Sequence, residues 1–169
     1  RASETFKKSG ARITCEVCPH HLFFDTTDYE RLGNFVRMNP PLRSPKNREA
    51  MWDALASGEI DMIATDHAPH TVEEKNRPYW DAPSGVPAVE LMLPLMLNAA
   101  HQGRCTYEQV SNWISKNPAE IYDIPRRGAI APGQFADLVI VDPDREIVVE
   151  NEAQKTKCGW SPWVGETIV

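Results

Sequence analysis

The stretch IDMIATDHAPHT, residues 60–71, joins a short apolar run to a polar cluster. The apolar run, residues 60–65, begins shortly after Gly58, which ends a helical pattern. Such a run is typical of a buried strand in a parallel sheet. We therefore predict a strand at 60–65, with Asp66, His67 and His70 beyond its carboxyl end.

Helical patterns stand on both sides of this strand. Pro45 follows the cap residue Ser44 and predicts a helix over 46–57. The other predicted elements are a strand at 11–17, a helical turn at 28–32, a short strand at 36–43 that two prolines break, a polar loop at 66–87, and helices over 89–100, 107–116 and 117–122. The order strand, helix, strand, helix predicts parallel strands. This part is either a small open sheet or the tail of a barrel.

The pattern changes near Pro125, after which turn residues become frequent. Strands are predicted at 136–141 and 146–149, joined as a hairpin through the turn at 142–144. We place a domain boundary between residues 126 and 127, with an α/β part before it and a small all-β part after it. Trp160 and Trp163 are expected to pack against other parts of a longer protein. That protein would extend beyond both termini, because Arg1 stands within a helical pattern and residues 167–169 within a strand-like run.

Composition and charge exclude several classes of function. The chain has 169 residues, 41% of them hydrophobic, and a formal net charge of −6. An acidic chain is a poor candidate for binding nucleic acid or an anionic membrane surface. It has no apolar run of about 18 residues, so no membrane-spanning segment is predicted, and no secretory signal is recognisable. We expect a cytoplasmic protein.

Four cysteines occur, and their spacing matches no small disulfide framework. Cys15 and Cys18 form a CxxC pair followed by His20 and His21, so a zinc site must be considered. A structural zinc site usually needs a second ligand pair at similar spacing, which the chain lacks. Two small buried thiols are the favoured interpretation.

Asp66 is the strongest candidate for chemistry. A carboxylate at the end of a buried strand needs a partner, which a metal ion, another cation, water or a backbone cap can supply. The functional interpretation is a metal ligand or general base, and the structural one is a helix or turn cap. His67 and His70 bring three ionisable groups within five residues. Active sites of α/β folds gather at the carboxyl ends of strands.

Two further segments could present polar groups to a ligand. The sequence NPPLR, residues 39–43, has a restricted backbone that could hold Asn39 and Arg43 rigidly. The sequence WDAPSGV, residues 80–86, could bring the backbone N–H groups of Ser84 and Gly85 close to a ligand. The spacing alone favours a rigid connector for the first segment and an ordinary turn for the second.

Three motifs occur in the order and spacing of class I (bacterial) dihydroorotases, which the chain therefore resembles. They are CEVCPHHL at 15–22, NPPLR at 39–43 and ATDHAPHT at 64–71. The stretch GAIAPGQFADLVIVD at 128–142 is similar to a late signature of the wider amidohydrolase superfamily. The resemblance implies the C-terminal portion of a TIM-like (β/α)8 barrel, with part of a small β-sandwich. It also implies the reversible cyclisation of N-carbamoyl-L-aspartate to L-dihydroorotate, in pyrimidine biosynthesis.

The resemblance also implies roles for individual residues. Asp66 would be both a zinc ligand and the catalytic general base, in a site that holds one or two zinc ions. Asn39 and His70 would bind the substrate, and Ser84 and Gly85 would contact its ring. The supporting residues would be His20 and Arg43. The other metal ligands of the family would lie upstream of Arg1, and His20 and His21 do not match them.

Several alternatives remain at this stage. Another cyclic amidohydrolase, such as a dihydropyrimidinase or allantoinase, is disfavoured by Asn39 and His70. A non-catalytic homologue that serves as a scaffold for aspartate transcarbamoylase is mildly disfavoured because Asp66, Asn39 and His70 are all present. A free-standing α/β binding module would expose large apolar faces. The resemblance implies a homo-oligomer, with association with aspartate transcarbamoylase as a further option, and the chain alone is expected to be inactive.

Overall fold

The computed structural model describes residues 9–10 and 13–169. Two strands, β1 (Glu16–Val17) and β2 (Met62–Ile63), pair in parallel, with Glu16 opposite Met62 and Val17 opposite Ile63. The prediction of parallel strands is confirmed, although both strands are shorter than the patterns indicated. The predicted helical start of the chain and positions 11–12 of the first predicted strand lie outside the described residues.

Short helices make up most of the regular structure outside this strand pair. They are α1 (Pro19–Phe23), α2 (Asp28–Leu32), a 3-10 turn (Gly33–Val36), α3 (Pro45–Ala56), α4 (Val72–Lys75), α5 (Met92–His101), α6 (Tyr107–Ser111), a π-helical turn (Asn112–Lys116) and α7 (Asn117–Ile121). Proline at the first position of α3 is suited to a helix start. Capping boxes begin α4, through Thr71 and Glu74, and α6, through Thr106 and Gln109. The helix α4 lies within residues 66–87, where the sequence predicted only a loop.

The strand pair is covered by α3 and α5. Val17 and Ile63 are buried in one apolar cluster with Trp52, Leu55 and Met96. The indole Nε1 of Trp52 lies 2.7 Å from the carbonyl oxygen of Leu22 and donates to it. This core fixes the carboxyl ends of β1 and β2, where the candidate site begins.

The predicted strand at 36–43 is wrong. Val36 ends a 3-10 turn, and residues 37–44 form no strand, with a bend at Asn39 and Pro40. Pro40 and Pro41 supply no N–H donor for a ladder. The carbonyl oxygen of Arg37 instead accepts from Gly85 N and from Lys75 Nζ.

The predicted hairpin of strands 136–141 and 146–149 is also wrong. The turn at its centre is present, since Asp144 N lies 3.2 Å from Asp142 Oδ1. However, β3 (Ile147–Val148) pairs antiparallel with β4 (Thr167–Ile168). Val149 and Ile168 are both buried in the apolar cluster that contains Trp163, so burial selects the distant partner.

The two C-terminal tryptophans lie inside the chain's own core, which corrects the expectation that they pack against other parts of a longer protein. Trp163 is fully buried and its ring stacks on Phe24 with centroids 5.0 Å apart. The ring of Trp160 meets Phe35 edge-on at 4.9 Å. Aromatic pairs at these distances add to the free energy of area burial.

No helix in the described part of the chain is both long and apolar enough to cross a membrane.

Candidate active site

The residues that follow β1 and β2 meet at one end of the strand pair. Because the strands are parallel and in register, Cys18 and Asp66 emerge at the same edge. Both line a cavity of about 530 Å³, together with His21 and Arg43. The structure therefore brings together Asp66 and Arg43, two residues that the sequence singled out separately.

Asp66 has the backbone conformation of a sharp turn. Its φ is +46°, in the left-handed region, which aspartate tolerates better than most residues. This turn ends the extended path of β2, and the carboxylate is exposed beside the cavity. A functional constraint is a common reason for such a conformation at a strand end.

Cys18 lies near two carboxylates and is partly buried. Burial, together with the charges of Asp66 and Glu16, raises the pKa of its thiol to about 12. The thiol is therefore protonated near neutral pH in the absence of a cation. The cysteine caps α1 and is not a strand residue, so its neighbours are the histidines of that helix.

Three side chains at or next to the cavity form a group of the kind that can hold a metal ion. Ligand atoms of Cys18, His20 and His21 all lie within 4.8 Å of one another. This group includes Cys18 but not Cys15. Asp66 lines the cavity with Cys18 and His21 but does not belong to this group. Zinc binds sulfur, nitrogen and oxygen ligands of these kinds.

The two histidines of α1 differ in burial and in hydrogen bonding. His21 Nε2 lies 3.0 Å from the carbonyl oxygen of Pro40, which joins α1 to the proline loop. His20 is 1% exposed, and neither of its ring nitrogens has a hydrogen-bond partner among the described residues. Burial, with the charge of His21, lowers the pKa of His20 to about 3, so its ring is neutral.

His67 joins the turn after β2 to the segment at 86–89. It forms a parallel β-bridge with Val86. Its Nδ1 accepts hydrogen bonds from Ala88 N at 3.1 Å and from Val89 N at 3.2 Å. Because Nδ1 is an acceptor here, the proton of a neutral His67 must be on Nε2. The imidazole is thus held in one tautomer and orientation.

His70 and Ser84, which the sequence predicts to act on one ligand, are in contact. His70 Nε2 lies 3.1 Å from the carbonyl oxygen of Ser84. Since a carbonyl only accepts, this nitrogen carries a proton. Nδ1 lies 3.7 Å from Glu74 Oε2, close enough to form an ion pair when the imidazole is protonated.

Gly85 occupies a position that admits no side chain. Its φ is +128°, and an added Cβ would lie 2.5 Å from the Cβ of Ala68 and 2.7 Å from its carbonyl oxygen. The N–H of Gly85 donates to Arg37 and its carbonyl accepts from Lys75. The glycine therefore brings the 83–85 segment against the DHAPHT stretch.

Lys75 joins the segments around Gly85, and sequence analysis did not identify it. The residue follows Glu73 and Glu74, a pattern typical of a solvent-exposed charged segment, so nothing in the sequence marks it as buried. The structure buries Lys75 completely. Its ammonium group donates to carbonyl oxygens on two separate segments.

The predicted residues thus fall into two neighbouring groups. Asp66 and Arg43 line the cavity, while His70, Ser84 and Gly85 lie around Lys75. The stretch 66–70 connects the groups through the bridge at His67. Asn39 is exposed beside Pro40 and Pro41, which line the cavity, and His20 lies buried behind it.

Comparison with known proteins matches the chain to one protein family and to named relatives. The profile of the Amidohydrolase family matches residues 8–162. The chain is 52% identical over 156 residues to a protein of Halobacterium salinarum named "Dihydroorotase", covering 92% of this chain and 37% of the relative. It is 44% identical over 155 residues to "Dihydroorotase" of Methanosarcina mazei, covering 90% of this chain and 34% of the relative.

Among solved structures, an L-hydantoinase (dihydropyrimidinase) from Arthrobacter aurescens matches with a TM-score of 0.94 and 30% identity. The match covers 99% of this chain and 38% of that structure. The chain therefore spans just over a third of the length of the proteins it matches.

Proposed function

The chain belongs to the amidohydrolase family, and from that premise we propose that it forms the C-terminal part of a dihydroorotase. The reaction is the reversible cyclisation of N-carbamoyl-L-aspartate to L-dihydroorotate, in pyrimidine biosynthesis. The observation that carries the proposal is Asp66 on the cavity at the carboxyl ends of β1 and β2. Identities of 52% and 44% to proteins named dihydroorotase support this substrate class.

Asp66 would hold zinc and act as general base. Bound zinc supplies Lewis acidity and an activated water at neutral pH. The carboxylate of Asp66 accepts the proton of the attacking water and delivers it to the ring nitrogen that leaves as the amide opens. Its exposed position beside the cavity allows both transfers.

His70 and Asn39 would bind the substrate, with His70 near its carboxylate. A protonated imidazole or an amide N–H suits a carboxylate, and charge-assisted hydrogen bonds are the stronger kind. His70 Nε2 already donates to the Ser84 carbonyl, so Nδ1 is the ring nitrogen left to donate to the substrate when the imidazole is protonated. Arg43, exposed on the cavity, adds positive charge for an anionic substrate.

The segment at 83–85 would contact the dihydropyrimidine ring. Ser84 supplies the N–H and hydroxyl groups. Gly85 lets the backbone of the 83–85 segment lie close to Ala68, because any Cβ at this position would clash with that residue. The N–H and the carbonyl of Gly85 are already bonded to Arg37 and Lys75. Gly85 would therefore shape the site without donating a hydrogen bond to the ring.

We extend the proposal to the whole protein. Residues 1–126 would supply the last two strand–helix units of a TIM-like barrel, and 127–169 part of a small β-sandwich. The complete site would hold one or two zinc ions, with the other ligands on barrel strands outside the 169 residues of this chain, as the family resemblance implies. The protein would act in the cytoplasm as a homo-oligomer, with aspartate transcarbamoylase as a candidate partner.

A second candidate is hydantoinase or dihydropyrimidinase activity, favoured by the TM-score of 0.94 with the Arthrobacter enzyme. A substrate panel with the full-length, zinc-loaded protein separates the two. L-dihydroorotate should be hydrolysed with a kcat/KM far above that for dihydrouracil, hydantoin or allantoin. Preference for dihydrouracil or hydantoin would replace the proposal with the second candidate.

A further inference from the structure

Lys75 is fully buried, and all of its N–H donors are used on backbone carbonyls. Nζ lies 3.1 Å from the carbonyl oxygen of Arg37, 3.1 Å from that of Pro83 and 2.9 Å from that of Gly85. An ammonium group has three N–H donors, so the three acceptors saturate it. None of the ion pairs in the described part of the chain involves this lysine.

These acceptors lie on two segments that are far apart in sequence. Arg37 stands two positions before Asn39, whereas Pro83 and Gly85 stand on either side of Ser84. The same Arg37 carbonyl also accepts from Gly85 N at 2.9 Å. The lysine therefore fixes the position of Ser84 relative to the segment that carries Asn39.

A third segment is tied to the same ammonium through α4. Lys75 is the last residue of this four-residue helix, and Thr71 caps its start through a complete capping box with Glu74. His70 directly precedes the cap, and its Nε2 reaches the Ser84 carbonyl. One short, well-capped helix thus joins His70 to the lysine.

An unpaired buried ammonium is costly, because its hydration is lost without a compensating anion. Burial, together with the charge of Arg37, lowers the pKa of Lys75 to about 8. A methionine would fill similar space without this cost. The three donors are therefore the property of lysine that the fold uses here.

We propose that Lys75 is a positioning residue for substrate binding, which holds the segments of Asn39, Ser84 and His70 in one fixed arrangement. The identity of the substrate rests on the proposed function, and the positioning role rests on the hydrogen bonds of Lys75. The ammonium donates only to backbone carbonyls and lies 5.8 Å from the centroid of the Trp160 ring, so we assign it no part in bond making or proton transfer.

The test replaces the lysine in the full-length protein. Lys75→Met removes all three donors at similar volume, and Lys46→Met, at an exposed position of α3, is the matched control. For Lys75→Met we expect KM for L-dihydroorotate to rise about tenfold to a hundredfold, since small misplacements have effects of this size. We expect kcat to fall less and zinc content to stay unchanged, and Lys46→Met should match the wild type.

Amide hydrogen exchange provides a second readout that does not depend on activity. Exchange at Gly85, whose N–H donates to the Arg37 carbonyl, should accelerate in Lys75→Met and not in the control. Lower thermal stability with unchanged KM and unchanged exchange at this amide would overturn the proposal, because the lysine would then be only a structural residue.

Two further results are covered by the design: a variant that does not fold, and a wild-type protein without dihydroorotase activity. If Lys75→Met does not fold, Lys75→Gln keeps part of the donor set and should show the same changes at smaller size. If the wild-type protein does not hydrolyse dihydroorotate, the proposed function fails. The exchange experiment then still decides whether Lys75 positions the 83–85 segment.

Discussion

Trp160 Nε1 lies 2.7 Å from the carbonyl oxygen of His70 and donates to it, although the two residues are 90 positions apart. The indole is buried and its ring packs against Phe35. A residue of the C-terminal segment thereby supports the backbone of a proposed substrate-binding histidine. The geometry of the site therefore depends on residues 127–169 as well as on the loops after the strands.

Trp160→Phe removes this hydrogen bond and keeps an aromatic ring for packing. An unsatisfied buried carbonyl costs about 1–3 kcal/mol, so we expect a loss of that order in the free energy of unfolding. We also expect a higher KM for dihydroorotate, because His70 loses its backbone support. Urea unfolding and steady-state kinetics check both. Trp80→Phe, at an 85% exposed position, should change neither, and a silent Trp160→Phe would contradict the account.

Gly85→Ala tests the close approach of the 83–85 segment to Ala68. The new Cβ would lie 2.5 Å from Ala68 Cβ at a φ of +128°, so backbone must move. Strain of this kind costs about 1–3 kcal/mol, and we expect weaker substrate binding besides. Thermal unfolding and KM are the measurements.

Gly58→Ala is the control for that experiment. Its φ is +79°, but an added Cβ meets nothing within 4 Å. It should lose about 1–2 kcal/mol from backbone conformation alone and leave KM unchanged. Equal effects of the two substitutions on KM would show that the contact with Ala68 has no part in substrate binding.

His20 predicts an acid sensitivity with a definite sign. Its pKa is lowered from 6.5 to about 3, so between these pH values the unfolded chain binds a proton that the folded chain does not. Stability therefore falls as the pH drops from 6.5 towards 3, by about 2 kcal/mol between pH 7 and pH 5.

His20→Leu should remove this part of the acid sensitivity. The loss of unfolding free energy between pH 7 and pH 5 is expected to shrink by about 2 kcal/mol. His101→Leu, at an exposed position of α5, should leave the difference as in the wild type. The same pH dependence in His20→Leu and wild type would show that His20 is not the neutral buried group described above.

The local chemistry of the chain predicted the elements near the site well. Ser44-Pro45 marked the start of α3, Thr106 marked that of α6, and the apolar run at 60–65 contained β2. Asp66 was expected at the end of that strand because a polar residue follows a buried run. These features depend on neighbouring residues, so a pattern in the sequence is enough to find them.

The sequence did not predict features that depend on contacts between residues far apart in the chain. The turn at 142–144 is present as predicted. However, β3 pairs with β4, because Val149 and Ile168 are buried in the same apolar cluster. Lys75 looked like a solvated charge, and only the folded loops reveal its three acceptors. The roles of Asn39 and Ser84 come from the family resemblance and stay predictions.

The chain expressed alone is predicted to lack dihydroorotase activity. By resemblance to the family, Asp66 is its one residue at a metal-ligand position, and the remaining ligands belong to upstream strands. An assay of the purified 169-residue chain with added zinc should show no turnover of L-dihydroorotate. Turnover by this chain at the rate of the full-length protein would contradict the assignment of ligands.

The most direct test of the central claim compares Asp66→Asn with wild type in the full-length, zinc-loaded protein, using L-dihydroorotate hydrolysis. Asp53→Asn, at an exposed position of α3, is the control. The account predicts that Asp66→Asn lowers kcat/KM at least about a hundredfold, as expected for loss of a general base, and reduces bound zinc. Wild-type turnover and zinc content in Asp66→Asn would contradict it.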